Sequence, residues 1–176
     1  MTADVTTLIA RYVRDIPDHP QPGVVFKDIT PLLAHPTGLA TVVDAITAPL
    51  EGRRIDLVAG LEARGFIFGA PAAVRLGAGF VPLRKAGKLP AATLAESYDL
   101  EYGTATVEMH ADVVAPGSRV LIVDDVLATG GTGRAAVDLI RRAGGTVVEF
   151  SVLLELGFLK GREKLADVDL RALATV

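Results

Sequence analysis

The sequence predicts an α/β fold in which a parallel β-sheet is flanked by helices. Short apolar runs alternate with helical stripes through the middle of the chain, a pattern that favours parallel strands joined by right-handed crossovers. The run from Val120 to Val123 is apolar at every position. Such a run is expected of a strand that is buried on both faces, as strands of parallel sheets are.

The composition fits one folded domain over residues 1–176. The chain has 176 residues and is 50% hydrophobic and 22% charged, which is typical of a globular protein. Its net charge of −3 argues against a general nucleic-acid or membrane-surface binder. Since there is no Cys, disulfides, thiol catalysis and Cys-ligated zinc are excluded. No secretory signal or membrane span is expected, so the predicted location is cytoplasmic.

The N-terminal part carries two stripes of apolar residues at helical spacing. The first stripe predicts a helix that ends at Pro17, and a Pro/Gly-rich passage then extends to Pro31. The first stripe consists of Leu8, Ile9, Tyr12, Val13 and Ile16. The second stripe, which predicts another helix, consists of Leu39, Val42, Val43, Ile46 and Leu50.

Further elements follow in alternation from residue 55 onward. A helix is predicted from Phe66 to Leu76, with Pro71 in its first turns. Residues 98–103 are polar and turn-like, and residues 104–109 alternate polar and apolar side chains, as a strand with one polar face does. The other predicted strands are 55–59, 79–83, 146–154 and a last one near 170–173.

The strand at Val120–Val123 is followed by a combination of residues suited to a sugar phosphate. Asp124 and Asp125 come first, then the turn Ala128–Thr132, then a helical pattern. The N–H groups of such a turn and the helix dipole suit a phosphate, while the acids suit hydroxyls or hydrated Mg²⁺. The alternative is an ordinary strand–turn–helix corner in which Thr129 or Thr132 caps the helix.

Two more segments carry charged residues just after predicted strands. Arg64 lies in the glycine-flanked segment Gly60–Phe66, and its guanidinium could hold a diphosphate. Three cations, Arg84, Lys85 and Lys88, follow the next predicted strand and could bind an anion. For each segment the alternative is a solvated surface loop. Because sites in parallel sheets lie at the carboxyl ends of strands, all three segments are expected at one edge.

The run from Val120 to Thr132 resembles the phosphoribosyl pyrophosphate signature of type I phosphoribosyltransferases. The segments Pro22–Ile29, Glu62–Phe66, Arg84–Pro90, Glu96–Gly103 and Leu154–Leu156 extend the resemblance over nearly the whole chain, toward the members that use adenine. The resemblance implies the type I fold with a small N-terminal hood at roughly residues 1–35 and a flexible β-lid at roughly residues 91–110. It implies transfer of the 5-phosphoribosyl group from 5-phosphoribosyl-1-pyrophosphate to adenine, giving AMP and pyrophosphate.

The resemblance also implies a role for each candidate residue. Asp124 and Asp125 would hold the ribose, and Glu101, beside Tyr102 in the lid, would move a proton at the purine. The 5-phosphate would bind to Ala128, Thr129, Gly130, Gly131 and Thr132. Pyrophosphate would bind to Ala63, Arg64, Arg84, Lys85 and Lys88, with a non-proline cis peptide expected at Ala63–Arg64. Adenine would lie among Val25, Phe26, Lys27 and Leu156.

Mg²⁺ is the expected cofactor, held mainly through substrate without a firm protein ligand, and a homodimer is the expected assembly. Two other functions remain open at this stage. One is a phosphoribosyltransferase for another purine base, and the other is a sensor of phosphoribosyl pyrophosphate without catalysis. No nucleic-acid or membrane partner is expected.

Overall fold

The computed structural model describes residues 4–99 and 103–176. The α-helices are α1 (Val5–Tyr12), α2 (Thr30–Ala34), α3 (Gly38–Thr47), α4 (Arg64–Leu76) and α5 (Gly131–Arg142). The strands are β1 (Arg14–Ile16), β2 (Phe26–Asp28), β3 (Leu57–Leu61), β4 (Gly79–Lys85), β5 (Thr93–Asp99), β6 (Thr104–His110), β7 (Arg119–Leu127), β8 (Thr146–Glu155) and β9 (Leu170–Thr175). Short 3₁₀ turns lie at Ala48–Leu50, Gly157–Leu159 and Gly161–Leu165.

Seven strands form one mostly parallel sheet in the order β5-β6-β4-β3-β7-β8-β9. The strands from β4 to β9 in this order are parallel, whereas β5 and β6 form an antiparallel hairpin at one edge. The predicted α/β class with a parallel sheet and flanking helices is therefore confirmed, with an antiparallel addition. In the register of β3 and β7, Gly60 pairs with Val123, so both strands end at the same edge.

The central strand β7 separates two apolar cores. Leu121 and Val123 pack in one core with side chains of α3 and α4, whereas Val120 and Ile122 pack in the other core with side chains of α5. All four side chains are fully buried. Alternate side chains thus reach helices on opposite faces of the sheet, which explains why the sequence run is apolar without interruption.

The N-terminal prediction is wrong at the end of the first helix. The helix α1 ends at Tyr12, and Val13 is already extended, with φ −84° and ψ 121°. Arg14–Ile16 then pairs with Phe26–Asp28 as an antiparallel two-stranded sheet. Ile16 therefore belongs to a strand because a partner strand lies within the Pro/Gly-rich passage, a long-range contact that the local stripe does not show.

Other boundaries also differ from the prediction. β4 extends to Lys85 and β7 extends to Leu127, so Arg84, Lys85, Asp124 and Asp125 lie within the ends of these strands rather than after them. The helix α4 starts at Arg64, before Phe66, so Pro71 lies near its middle rather than in its first turns. β3 extends past Gly60 to Leu61, and a Cβ at Gly60 would lie only 2.8 Å from the Phe80 ring. The lack of a side chain thus lets the strand continue beneath that ring. In the polar segment 98–103, Tyr98 and Asp99 belong to β5 rather than to a turn.

Among the helices described, none is long and apolar enough to cross a membrane.

A buried ion pair joins the sheet to the end of α3. The Arg171 guanidinium contacts Glu149 Oε1 at 2.7 Å and donates to the carbonyl oxygens of Ala45 at 2.7 Å and Ile46 at 2.6 Å. The Glu149 side chain is 5% exposed. Arg171 therefore satisfies carbonyls near the helix end, which have few intrahelical partners, and also a buried carboxylate.

We expect Arg171→Met to lower the free energy of unfolding by about 3–5 kcal/mol, because it leaves a buried carboxylate without its cation. Urea denaturation followed by circular dichroism measures this loss. The same substitution at Arg75, whose ion pair with Asp44 is more than half exposed, should change the free energy by less than about 1 kcal/mol. The double variant Glu149→Met/Arg171→Met should recover most of the loss. A single variant as stable as the wild type would contradict this role of Arg171.

Candidate active site

Three segments meet where β3, β4 and β7 end, and they enclose a cleft of about 340 Å³. These segments are the start of α4, the end of β4 and the turn after β7, as the sequence predicts. The residues that line the cleft include Glu62, Ala63, Arg64, Lys85, Tyr98, Asp124, Asp125, Ala128 and Thr132.

Arg64 joins three separate parts of the chain at the wall of this cleft. Its Nε lies 2.8 Å from Asp125 Oδ2, and the Asp125 side chain is only 7% exposed. Its Nη1 donates to the backbone oxygen of Lys27 at 3.1 Å, and its Cζ lies 4.6 Å from the centre of the Phe26 ring. The guanidinium thus contacts a carboxylate, a carbonyl and an aromatic face at once, which a Lys ammonium could not do.

The two neighbouring acids have different surroundings. The Asp125 backbone N–H donates to Asp124 Oδ1 at 2.8 Å, while the Asp125 side chain turns to Arg64. Burial, reinforced by the adjacent Asp125 carboxylate, raises the pKa of Asp124 well above its usual range. A cation or a hydroxyl donor placed beside the pair would relieve this repulsion, so the pair is suited to a hydroxylated or metal-bearing ligand.

A second, smaller pocket of about 80 Å³ lies over the turn after β7, from Asp124 to the start of α5. The helix is capped by Gly130, with φ +79°, and no side-chain hydrogen bond caps it among the described residues. The structure therefore rules out the alternative in which the Thr129 or Thr132 side chain caps the helix. Since the first N–H groups of a helix lack intrahelical partners, those of this turn can bind an anion.

The segment Arg84–Lys88, which begins within the end of β4, surrounds the carboxylate of Glu62, for which no role was predicted. Glu62 Oε2 accepts from Arg84 Nε at 3.3 Å and from the Lys85 backbone N–H at 3.0 Å, and Glu62 Oε1 pairs with Lys88 Nζ. The hydrogen bond from Lys88, followed by that from the Lys85 N–H, lowers the pKa of Glu62. Glu62 is therefore ionised and holds the side chains of Arg84 and Lys88 and the backbone of Lys85 beside the cleft.

The cis peptide of this segment lies between Glu62 and Ala63, so its expected position at Ala63–Arg64 is wrong. Arg64 is the first residue of α4 and Ala63 is its N-cap. The turn is made one residue earlier, between the strand and the N-cap.

A family assignment follows from sequence comparison with known proteins. A sequence model of the phosphoribosyl transferase domain matches residues 30–170. The chain belongs to the phosphoribosyltransferase family. The adenine phosphoribosyltransferase of Thermobifida fusca (strain YX) is 86% identical over 176 residues, which is 100% of both chains.

Solved structures of the family also match closely. The adenine phosphoribosyltransferase of Thermoanaerobacter pseudethanolicus is 50% identical, with a TM-score of 0.94, over 97% of this chain and 99% of that chain. The enzyme of Saccharomyces cerevisiae, complexed with D-2,5-dideoxy-2,5-imino-altritol 1,6-bisphosphate and adenine, is 38% identical. Its TM-score is 0.92 over 97% of this chain and 99% of that chain. The type I phosphoribosyltransferase fold is therefore confirmed.

The residues predicted for the base lie in two places. Phe26 and Lys27 belong to β2, next to Arg64, and Val25 directly precedes that strand and is 47% exposed. Leu156 directly follows β8, is 8% exposed, and its N–H donates to the Leu127 oxygen at 2.9 Å. Arg64 thus joins β2 to the cleft, and the hydrogen bond to Leu127 holds Leu156 beside the end of β7.

Glu101 and Tyr102, predicted for the lid of this family member, lie outside the described residues. The strand β5, which precedes them in the chain, does contact the site, because Thr132 Oγ1 donates to the Tyr98 hydroxyl at 3.0 Å. Sequence reasoning missed both Tyr98 and Glu62. Tyr98 gives no local signal, whereas Glu62 follows a strand end, as the predicted site residues do.

Among the described residues, no group of three or more His, Cys, Asp and Glu side chains is arranged to hold a metal ion. The carboxylates that line the cleft and could donate oxygen to a hard cation are those of Glu62, Asp124 and Asp125.

The close approach of α4 to β7 predicts that any side chain at position 65 lowers the stability of the fold. A Cβ on Gly65 would lie 2.7 Å from the Val123 carbonyl oxygen and 3.0 Å from Asp124 Oδ1. We expect Gly65→Ala to lower the free energy of unfolding by about 1–3 kcal/mol despite the better helix propensity of Ala, because the nearest neighbour is rigid backbone. Urea denaturation measures the loss.

Val74→Ala in the same helix is the control. The Val74 side chain is 84% exposed, so its truncation should change the free energy by no more than about 0.5 kcal/mol. Equal stability of Gly65→Ala and the wild type would mean that α4 and β7 can separate without cost.

Proposed function

We propose that this protein transfers the 5-phosphoribosyl group from 5-phosphoribosyl-1-pyrophosphate to adenine, giving AMP and pyrophosphate. The observation that carries the proposal is the arrangement at the carboxyl end of β7, where Asp124 and Asp125 belong to the strand and the turn after it leads to a glycine-capped helix start over a small pocket. It accommodates hydroxyls and a phosphate side by side. Relatives named as adenine phosphoribosyltransferases, at up to 86% identity over the whole chain, support adenine as the base.

The acids and the turn would hold the two ends of the ribose phosphate. Asp124 and Asp125 would accept from the ribose hydroxyls and oppose the positive charge that builds on the sugar as pyrophosphate leaves. The turn Ala128–Thr132, with Thr129, Gly130 and Gly131 between, would bind the 5-phosphate through backbone N–H groups. Fixing both ends orients the anomeric carbon toward the incoming base nitrogen.

The leaving pyrophosphate would be held by Ala63, Arg64, Arg84, Lys85 and Lys88. The support is their placement, since Glu62 keeps the cations beside the cleft and Arg64 and Lys85 line it. We propose that Mg²⁺ enters with the sugar diphosphate, with Asp124 and Asp125 as the fitting protein donors. When bound, the ion supplies positive charge that stabilises the departing pyrophosphate.

Adenine would lie between Phe26 and Leu156 and pair with the backbone beside Phe26. In an antiparallel strand, backbone groups alternate between facing the partner strand and facing away from it. The Lys27 oxygen is bound by Arg64, so the Lys27 N–H faces the same side and could donate to N1 of the purine. We place the Val25 carbonyl, two residues earlier, opposite the 6-amino group.

The remaining assignments extend this proposal. Residues 1–35 would act as a hood over the base, and residues 91–110 as a lid that excludes water, with Glu101 moving a proton at the purine and Tyr102 beside it. A homodimer is also proposed. We propose a cytoplasmic location, in keeping with a chain that has no Cys.

The test is an assay with one base at a time in the presence of phosphoribosyl pyrophosphate and Mg²⁺, following pyrophosphate release. We expect turnover with adenine and a kcat/KM for hypoxanthine lower by up to about 10⁴-fold, because a 6-oxo purine turns an acceptor toward the Val25 carbonyl. Preference for a 6-oxo purine would reassign the base. Tight binding of phosphoribosyl pyrophosphate without turnover on any base would make the protein a sensor.

Asp125→Asn tests the role of the acids, because it keeps the shape of the side chain and removes its charge. We expect kcat to fall by about 10²-fold or more in the same assay, while the variant still unfolds cooperatively. The matched control is Asp44→Asn, an exposed carboxylate paired with Arg75 on the outer surface, which should leave kcat unchanged. Near-normal turnover of Asp125→Asn would remove this carboxylate from the mechanism.

A further inference from the structure

The phosphate-binding turn is backed by a segment far away in sequence. The segment is Gly157–Leu165, two 3₁₀ turns joined by Lys160, and its Gly161 is buried against the turn. A Cβ built on Gly161 would lie within 3.0 Å of both the Ala128 oxygen and the Gly130 nitrogen. A Cβ built on Gly130 would likewise lie within 3.0 Å of the Gly161 oxygen. The two backbones are therefore in direct contact, with no room for a side chain between them.

The backing segment is itself fixed to the sheet and to α5. Arg162 pairs with Glu155, at the end of β8, at 3.1 Å and 2.5 Å, and it donates to the Leu170 oxygen of β9 at 2.9 Å. Leu165 is 1% exposed and packs in the core that includes α5. Because both ends of the second 3₁₀ turn are fixed, Gly161 cannot move away from the turn at low cost.

We infer that Gly161 is a positioning residue for the 5-phosphate, an inference that rests on the proposed function. It does not touch the substrate. Its backbone sets where the Ala128 carbonyl and the Gly130 N–H lie, and so directs the amides of residues 129–132 toward one point. The Arg162–Glu155 ion pair holds Gly161 at this distance.

The decisive variant is Gly161→Ala. The added methyl meets backbone atoms, which have no rotamer to change, so the turn must move. A displacement of about 1 Å should raise the KM for phosphoribosyl pyrophosphate by about tenfold or more. The KM for adenine should stay within about twofold, because the base contacts other residues. Initial rates with each substrate varied in turn give both values.

Gly145→Ala is the matched control for a general loss of stability. Its Cβ would lie 2.9 Å from Ile140 Cγ2 and 3.0 Å from Val114 Cγ1, beyond the far end of α5. We expect it to lower Tm while leaving the KM for phosphoribosyl pyrophosphate unchanged. A folded Gly161→Ala variant with unchanged KM for phosphoribosyl pyrophosphate, or with both KM values raised equally, would overturn the inference.

Arg162→Met keeps the inference testable if Gly161→Ala does not fold. It releases the ion pair without adding atoms at the turn, so the KM for phosphoribosyl pyrophosphate should rise by about threefold or more and the KM for adenine should not. An unchanged KM for phosphoribosyl pyrophosphate in this variant would also overturn the inference. An assay of the wild type distinguishes failure of this inference from failure of the proposed function. If the wild type does not release pyrophosphate with adenine, the proposed function itself is refuted.

Discussion

The ion pair between Arg64 and Asp125 holds the first turn of α4 against the end of β7, at the edge of the sheet where the cleft lies. Their separation of 2.8 Å is possible because Gly65, the next residue, lets the helix approach the Val123 carbonyl. The same guanidinium contacts Phe26 and the Lys27 oxygen, so the N-terminal strand pair is fixed relative to the acids. The arrangement of the cleft therefore depends on the ion pair between Arg64 and Asp125 and on the glycine at position 65.

Charge at this edge is arranged as compensated groups rather than as free ions. Glu62 neutralises part of the cation cluster at the end of β4, and Arg64 neutralises Asp125. Asp124, with its raised pKa, is the group whose charge is least well compensated. A ligand that brings hydroxyl donors or a cation to Asp124 and negative charge to the cations would complete both sets of interactions.

The features that could be predicted from the sequence are the local ones. Asp124, Asp125 and Gly130 lie in one short run, so their proximity needs only a strand, a turn and a helix. The strand at Val120–Val123 was evident because burial on both faces leaves no polar position. What could not be predicted depends on partners distant in the chain. Ile16 leaves the helical pattern for a strand only because Phe26 pairs with it.

The same reason applies to the site residues that were missed. Glu62 gathers its cations through the pairing of β3 and β4, and Gly161 reaches the turn only after β8 has crossed the molecule. The start of α4 was misplaced by two residues, at Phe66 instead of Arg64, because helix ends are poorly marked in sequence.

The carboxylate of Glu62 has a consequence for product release. Three bare cations would attract a polyvalent anion strongly and would let it dissociate slowly. With Glu62 among them, an arriving diphosphate meets a weaker field and must compete with a carboxylate that is already hydrogen-bonded. When the diphosphate departs, Glu62 can again pair with Arg84 and Lys88. Glu62 would thus lower the affinity for the diphosphate, shorten its residence time and speed the catalytic cycle.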